Sequence, residues 1–179
     1  MNEETPDPAG GEPPAPANPP APDYASFDSR AGWQAAIDRL LAQAGRELRL
    51  FDPDLVALDL NASARVGALE AFLAGSRTRR LYFATHDTDH LTRHCPRMMN
   101  LLARYAHAIH VHRTHEEIRD IRDSFLVLDA HHYVRRPVSR FFRGAIGLHD
   151  PGEAQAMRLR HGEIWSASYP AVSASISGL

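Results

Sequence analysis

The stretch FLVLD at residues 125–129 decides the fold of this chain. Its four consecutive apolar residues do not alternate with polar ones, a pattern typical of a strand that is buried on both faces. We therefore predict a central strand here, with further strands beside it and helices covering the sheet. Residues 131–136 and 141–148 have strand patterns of their own and are predicted to be its hairpin neighbours.

Upstream of this strand, helical and strand patterns alternate. Helices are predicted after Ser29 and from Ser63, because each serine can cap a first turn that leads into an apolar stripe. A third helix is predicted near Pro96, since proline suits a first turn, and a last helix over residues 152–168. The other predicted strands are residues 47–51, 80–84 and 109–112. This order predicts an α/β fold, a mixed sheet with helices packed on it.

The composition excludes several chemistries. The chain has 179 residues, enough for one ordinary domain, and all 20 of its Lys and Arg residues are Arg. Schiff bases, lysine general bases and P-loop phosphate binding are therefore excluded, because each needs a lysine amine. Cys95 is the one cysteine, so no internal disulfide forms and a reducing compartment is indicated.

The first 25 residues differ from the rest. They are acidic and rich in Pro and Ala, with eight of the 13 prolines, and cannot bury an apolar face. We predict a disordered tail over residues 1–25 and a single domain over residues 26–179. The tail is either a docking strip for a proline-binding partner or a solvated spacer. No signal-peptide pattern or membrane-spanning apolar run is present, so a cytoplasmic location and no membrane association are expected.

Candidate site residues lie at the predicted strand ends. In open α/β sheets, ligands gather beyond the carboxyl ends of strands, where loops converge. The alternative for each of these residues is a solvated loop charge or an Arg–Asp pair that fixes a turn. The predicted ligand-binding residues are Asp52, His86, Asp87, Arg97, Arg122, Ser124, Asp129 and Arg135.

Residues 118–129, IRDIRDSFLVLD, resemble the strand that carries the H-x-K-x-x-x-x-D motif of the phospholipase D superfamily. The resemblance extends over roughly residues 27–168 and implies one half of a phospholipase D-like domain. Only the aspartate is retained, as Asp129, while Arg122 stands at the histidine place and Ser124 at the lysine place. Cys95-Pro96-Arg97, the D-x-F-L-V-x-D strand and Glu163-Ile164-Trp165-Ser166-Ala167-Ser168 are also similar to segments of a family of small bacterial proteins of unassigned function.

The departures from the motif bear on chemistry. The superfamily uses a histidine to attack phosphorus, and a protonated guanidinium at Arg122 cannot replace it. The resemblance therefore implies a catalytically degenerate protein that retains anion binding through Arg122, Arg135 or Arg136. It also implies a homodimer, because related halves pair to build one site. For Asp129, a structural alternative is a strand-end carboxylate that accepts turn amides or pairs with an arginine.

All 11 histidines lie between His86 and His161, which raises the alternative of a metal-dependent phosphodiesterase. His86, His90 and His94 are spaced by four, yet they match no recognised zinc signature. We therefore predict no metal and no cofactor. Cys95 is either a reactive thiol at a helix start or a packing residue. Nucleic-acid binding is not expected, because the chain outside its acidic tail is only mildly basic.

The function predicted from the sequence is an accessory or regulatory one. A non-catalytic phospholipase D-like domain would bind an anionic or phosphorylated small molecule, or a protein partner, in the cleft at the strand ends. A purely structural interaction module, with the tail as a tether, is the remaining alternative.

Overall fold

The chain is described by a computed structural model, in which residues 19–173 form an eight-stranded sheet with five helices. The strands are β1 Asp23–Phe27, β2 Glu47–Phe51, β3 Arg80–Thr85, β4 Ile109–Thr114, β5 Ser124–Leu128, β6 His132–Arg136, β7 Gly144–Leu148 and β8 Ser168–Val172. The helices are α1 Arg30–Leu41, α2 Ser63–Ala74, α3 Asp89–His94, α4 Pro96–Arg104 and α5 Pro151–Ser166. None of these helices has the length and apolar character needed to cross a membrane.

The sheet is mixed, as predicted, with strand order β1-β7-β6-β5-β2-β3-β4-β8. Strands β2, β3 and β4 are parallel to one another, whereas β5 runs antiparallel to β2 and β6 antiparallel to β5. The carboxyl ends of β2, β3, β4 and β6 and the amino end of β5 therefore share one edge, called here the carboxyl edge. The carboxyl end of β5 lies at the opposite edge, together with the amino ends of β2, β3 and β4, and this edge is called here the amino edge.

Both faces of the sheet are covered. The larger core lies under α1, α2 and α4, where Leu50, Phe83 and Leu126 of the sheet meet Trp33 of α1. Helix α5 covers the other face, with Ile164 packed against Phe51 and Phe125 of β2 and β5. Every residue of β5 is buried, so the prediction of a central strand covered on both faces is confirmed.

The helix starts follow the predicted signals in part. The Ser29 hydroxyl accepts a hydrogen bond from the Gly32 amide at 3.1 Å, which confirms the predicted cap of α1. Pro96 is the first residue of α4, also as predicted. The predicted Ser63 cap of α2 is wrong, because Ala62 holds the cap position and Ser63 is already helical.

Three elements were not predicted from the sequence: β1, α3 and β8. Strands β1 and β8 are the two outermost strands of the sheet and are mostly exposed. Neither therefore shows the apolar alternation that marks a half-buried strand. Pro170 in β8 also argues against a strand on pattern alone, although edge strands tolerate proline. Strand β1 includes residues 23–25 of the predicted tail, and residues 1–18 lie outside the described part of the chain.

His161 of α5 is fully buried against the sheet. Its Nε2 lies 3.1 Å from the carbonyl oxygen of Leu50, to which it donates, and its ring stacks on Trp165. Burial lowers the pKa of His161 to about 4, with the charge of Arg49 acting in the same direction. The imidazole is therefore neutral in the folded protein at pH 7.

We predict that acid destabilises the domain through His161. The folded pKa lies below the unfolded value, so the unfolded state binds the extra proton between about pH 6.5 and pH 4. The stabilisation present above pH 6.5 is lost across this window, by up to about 3 kcal/mol. Urea unfolding from pH 7 to pH 4 measures it: His161→Gln should flatten the decline, whereas His131→Gln at an exposed position is the control. Equal declines in all three proteins would contradict the prediction.

Candidate functional site

A buried ion pair lies at the carboxyl edge. Asp52, directly after β2, and Arg136, the last residue of β6, are each 1 % exposed, and Arg136 Nη2 lies 3.0 Å from Asp52 Oδ2. The other carboxylate oxygen accepts hydrogen bonds from the backbone amides of Asp54 at 3.2 Å and Leu55 at 2.7 Å. The pair therefore fixes the turn after β2 and joins it to a strand two positions away in the sheet.

The Arg136 guanidinium is held from several sides. Its carbon lies 4.2 Å from the centre of the Trp33 ring and 5.2 Å from that of Phe142, both within cation–π range. Its Nη1 donates to the carbonyl oxygen of Ser139 at 2.8 Å. One arginine thus connects α1, β2 and the loop between β6 and β7.

Burial sets the electrostatics of the pair. It raises the pKa of Asp52, and the Ser124 hydroxyl and the charge of Arg136 oppose that rise. Burial lowers the pKa of Arg136, opposed by Asp52. Ser124 is fully buried and lies close enough to act on Asp52, although its Oγ makes no hydrogen bond of good geometry with the described residues.

His86 follows β3 at the same edge and is also buried. Its Nε2 lies 2.9 Å from the carbonyl oxygen of Ile121, which only accepts, so in the neutral ring Nε2 carries the proton. Its Nδ1 then accepts from the Thr114 hydroxyl at 2.6 Å. His86 therefore anchors the segment before β5 and has no ring nitrogen left for a ligand.

An open cleft of about 540 Å³ lies beside this buried group. Arg122, in the segment before β5, is exposed and makes no ion pair or side-chain hydrogen bond within residues 19–173. Arg135 is 39 % exposed and pairs with Glu153 at 3.4 Å. Arg160 of α5 binds both oxygens of Asp123, each at 2.9 Å. The cleft, whose lining includes Arg122, Arg135, Arg136 and Arg160, is called here the arginine cleft.

Asp129 does not belong to the arginine cleft. Because β5 runs antiparallel to β2, its last residue leads to the amino edge, a full strand length from Ser124. There the Asp129 carboxylate accepts from the backbone amides of Arg46 at 3.0 Å and Glu47 at 2.8 Å. The predicted convergence of Asp129 with the other site residues is wrong, and the structural alternative describes what it does.

Two further predicted residues do not line the arginine cleft. Arg97 binds Asn61, through its backbone amide at 3.1 Å and through Nη1 at 3.0 Å. Asp87 is exposed, and its Oδ1 accepts from the Asp89 amide at 2.9 Å, at the start of α3. The structure thus places Asp52, His86 and Ser124 beside the arginine cleft, which Arg122 and Arg135 line, whereas Asp129 lies at the amino edge. Asp87 stays next to the turn after β2, because its amide donates to the carbonyl oxygen of Pro53 at 3.1 Å, but its side chain does not line the cleft.

The histidines do not assemble a metal centre within residues 19–173, where no three His, Cys, Asp or Glu side chains have a metal-binding arrangement. His90 and His94 face each other on α3 with ring centres 5.5 Å apart, and His86 is engaged elsewhere. His112 stacks on Trp165 at 3.6 Å. Cys95 is fully buried, and burial raises the pKa of its thiol, which favours the packing role over a reactive one.

A family model described as a domain of unknown function, DUF7931, matches residues 29–174. That match covers most of the chain. The chain belongs to the DUF7931 family. A search of curated proteins found no matching sequence.

Two bacterial proteins of known structure are similar in fold to this DUF7931 chain. Nuc from Salmonella typhimurium, a phospholipase D family member, aligns with a TM-score of 0.58 and 15% identity over 86% of this chain and 100% of Nuc. NucT from Helicobacter pylori aligns with a TM-score of 0.57 and 8% identity over 84% of this chain and 100% of NucT. These likenesses establish a phospholipase D-like fold.

TrmBL2, an archaeal chromatin protein whose structure shows a mode of DNA binding, aligns with a TM-score of 0.59 and 9% identity. The match covers 83% of this chain and 54% of TrmBL2, so the DUF7931 chain spans about half the length of that protein. At this identity the likeness concerns the fold.

The sequence analysis missed Arg160 and assigned the wrong role to Arg136. Arg136 was predicted as a possible phosphate ligand, but it is buried and paired with Asp52. Strand alternation places Arg135 and Arg136 on opposite faces and so assigns one of them to the core. Arg160 lies one helical turn after Met157, which also lines the cleft, so helical periodicity carried a signal for it.

We predict that breaking the Asp52–Arg136 pair strongly destabilises the domain. Asp52→Asn leaves a buried guanidinium without its carboxylate, which costs about 3–5 kcal/mol. The control is Asp23→Asn, which breaks the exposed Arg39–Asp23 pair and should cost about 1 kcal/mol or less. Urea unfolding measures both values. Similar small losses in the two variants would show that the buried pair is dispensable.

Proposed function

We propose that this chain is a non-catalytic phospholipase D-like protein that binds an anionic, phosphorylated ligand in the arginine cleft. The observation that carries the proposal is Arg122, an exposed guanidinium without a carboxylate partner, at the mouth of a cleft with two further accessible arginines. A guanidinium binds phosphate through two parallel hydrogen bonds, which makes it suitable for this role.

The residues at the motif positions support the loss of catalysis. Arg122 stands where the resemblance implies a nucleophilic histidine, and its protonated guanidinium has no lone pair with which to attack phosphorus. Ser124 stands at the lysine place but is fully buried beside Asp52. A substrate phosphate therefore cannot reach it without opening the core.

The charge of the cleft supports an anionic ligand. Its lining includes four arginines and two aspartates, and Arg122 is the one lining arginine without an ion-pair partner among the described residues. Arg136 and Arg160 are neutralised by Asp52 and Asp123. The pair of Arg135 with Glu153 is half-exposed and long, so a phosphate that binds Arg122 can compete for Arg135 at little cost.

The role that fits binding without turnover is accessory or regulatory, with either a small phosphorylated molecule or a phosphorylated partner as ligand. A cytoplasmic location is part of this proposal, on the argument that the single thiol, Cys95, is buried and unpaired. The alternative of a metal-dependent phosphodiesterase loses its central residue, since both ring nitrogens of His86 are occupied. No particular contact favours the purely structural alternative.

We predict that phosphate compounds stabilise the protein through Arg122. Inorganic phosphate and phosphoserine are screened by thermal unfolding; a ligand at ten times its Kd should raise the Tm by about 4 °C. Arg122→Ala should abolish the shift, while Arg39→Ala, which removes an arginine at a distant ion pair, should retain it. A shift that survives Arg122→Ala would overturn the proposed site.

Self-association belongs to the same proposal, because the resemblance implies that two halves build one complete site. We predict a dimer in light scattering at protein concentrations of about 100 µM, a range in which weak interfaces of ordinary size are populated. A mass of 19.9 kDa under these conditions would show a monomer and overturn the dimer. The binding proposal for Arg122 would remain.

A further inference from the structure

A second group of arginine and histidine side chains lies at the amino edge of the sheet, away from the arginine cleft. Arg77 and Arg79, between α2 and β3, and His107, between α4 and β4, line an open pocket of about 600 Å³. Its apolar part includes Leu73 at the end of α2 and the ring of Tyr105. This group is called here the amino-edge pocket.

The charge of the amino-edge pocket is not balanced by acids. None of its lining residues is an aspartate or a glutamate. In the described part of the chain, neither Arg77, Arg79 nor the adjacent Arg80 lies within ion-pair distance of a carboxylate. The neighbouring His110 responds to this field: burial lowers its pKa, and the charges of Arg80 and His107 lower it further. A positive potential without a counter-charge attracts anions.

Arg79 is held in a fixed position. Its Nη1 donates to the carbonyl oxygen of Phe72 at 2.8 Å, and its guanidinium lies over the Phe72 ring at 5.0 Å. Gly75 makes this possible, because a methyl group at that position would overlap the guanidinium. The backbone of Gly75 is ordinary, with φ of −67°, so an alanine at this position would displace the Arg79 guanidinium without straining the backbone.

The turn that carries Arg77 is also fixed. Nη1 of Arg80 donates to the carbonyl oxygens of Arg77 and Arg79, each at 2.8 Å. The hydroxyls of Ser76 and Thr78 bond to each other at 3.0 Å. These bonds orient the backbone of the turn, while the Arg77 side chain stays exposed and makes no ion pair or hydrogen bond of its own with the described residues.

Arg79 has a structural explanation as well, since its bond to Phe72 satisfies a carbonyl at the end of α2. That bond uses one of its five N–H groups, and the others make no hydrogen bond with residues 19–173. Capping the helix does not account for Arg77 or His107, which contribute nothing to the end of α2. The pocket therefore has more hydrogen-bond donors than the fold itself uses.

We propose that the amino-edge pocket binds a phosphate ester of nucleotide size. Arg77 and Arg79 hold the phosphate, and Tyr105, His107 and Leu73 contact the ring that carries it. The ligand chemistry follows from the lining, because the pocket combines guanidinium donors with an apolar floor and two neighbouring aromatic rings, Tyr105 and His107, with centres 6.4 Å apart. Its volume is in the range of small-molecule sites, which favours a single nucleotide over a polymer.

Isothermal titration with AMP, inorganic phosphate and adenosine tests the proposal. AMP should bind more tightly than either of its parts, because only AMP occupies both the cationic and the apolar portions. Arg77→Ala should weaken AMP binding about tenfold or more, the usual effect of losing a charge-assisted hydrogen bond. Gly75→Ala should also weaken it by displacing the Arg79 guanidinium without changing the charge. Gly67→Ala, within α2 and with open space around it, should not.

The outcomes also separate this site from the arginine cleft. Loss of AMP binding in Arg77→Ala and Gly75→Ala, with retention in Gly67→Ala and Arg122→Ala, supports the proposal. Loss in Arg122→Ala with retention in Arg77→Ala places AMP in the arginine cleft and overturns it. No binding of AMP, or binding equal to that of inorganic phosphate, also overturns it. Urea unfolding of each variant confirms that it is folded.

Discussion

The carboxyl edge of this protein depends on the buried contact between Asp52 and Arg136. It joins residues 84 positions apart and holds the turn after β2, the Trp33 ring of α1 and the loop at Ser139 in one arrangement. A buried ion pair adds little net stability compared with a well-packed apolar pair, since desolvation offsets the attraction. Its effect is on geometry, because separating the two buried charges would leave each without a partner. The side of the arginine cleft that Arg136 forms is therefore held in one position.

The sequence predicted the fold through the elements that are buried. The uninterrupted apolar run at residues 125–128 and the apolar stripes of α1 and α4 indicate buried elements. The outermost strands β1 and β8 are mostly exposed, so their sequences carry no such pattern. The site was predicted only in part because the rule about carboxyl ends assumes parallel strands. With β5 reversed, Asp129 moves to the amino edge while Ser124 comes beside Asp52. The partnership with Arg136 has no local signal at such a separation.

Because the chain has no lysine, the positions of its arginines determine where positive side-chain charge can bind an anion. Ten of the 20 arginines form ion pairs within the described residues, so half of their charge has a structural explanation. Among the rest, Arg122 lies at one edge of the sheet and Arg77 and Arg79 at the other. A guanidinium remains charged when partly buried and binds planar oxyanions in a defined geometry. The phospholipase D-like scaffold is thereby compatible with anion recognition that needs no nucleophile.

The burial of Cys95 has a practical consequence for measuring the energetics of this domain. The only sulfhydryl of the chain is inaccessible in the native state and lies in the main core between α3 and α4. A thiol-specific reagent therefore modifies the protein only in molecules whose core has opened. The rate of labelling at increasing reagent concentration reports how often the native structure opens, without any engineered probe.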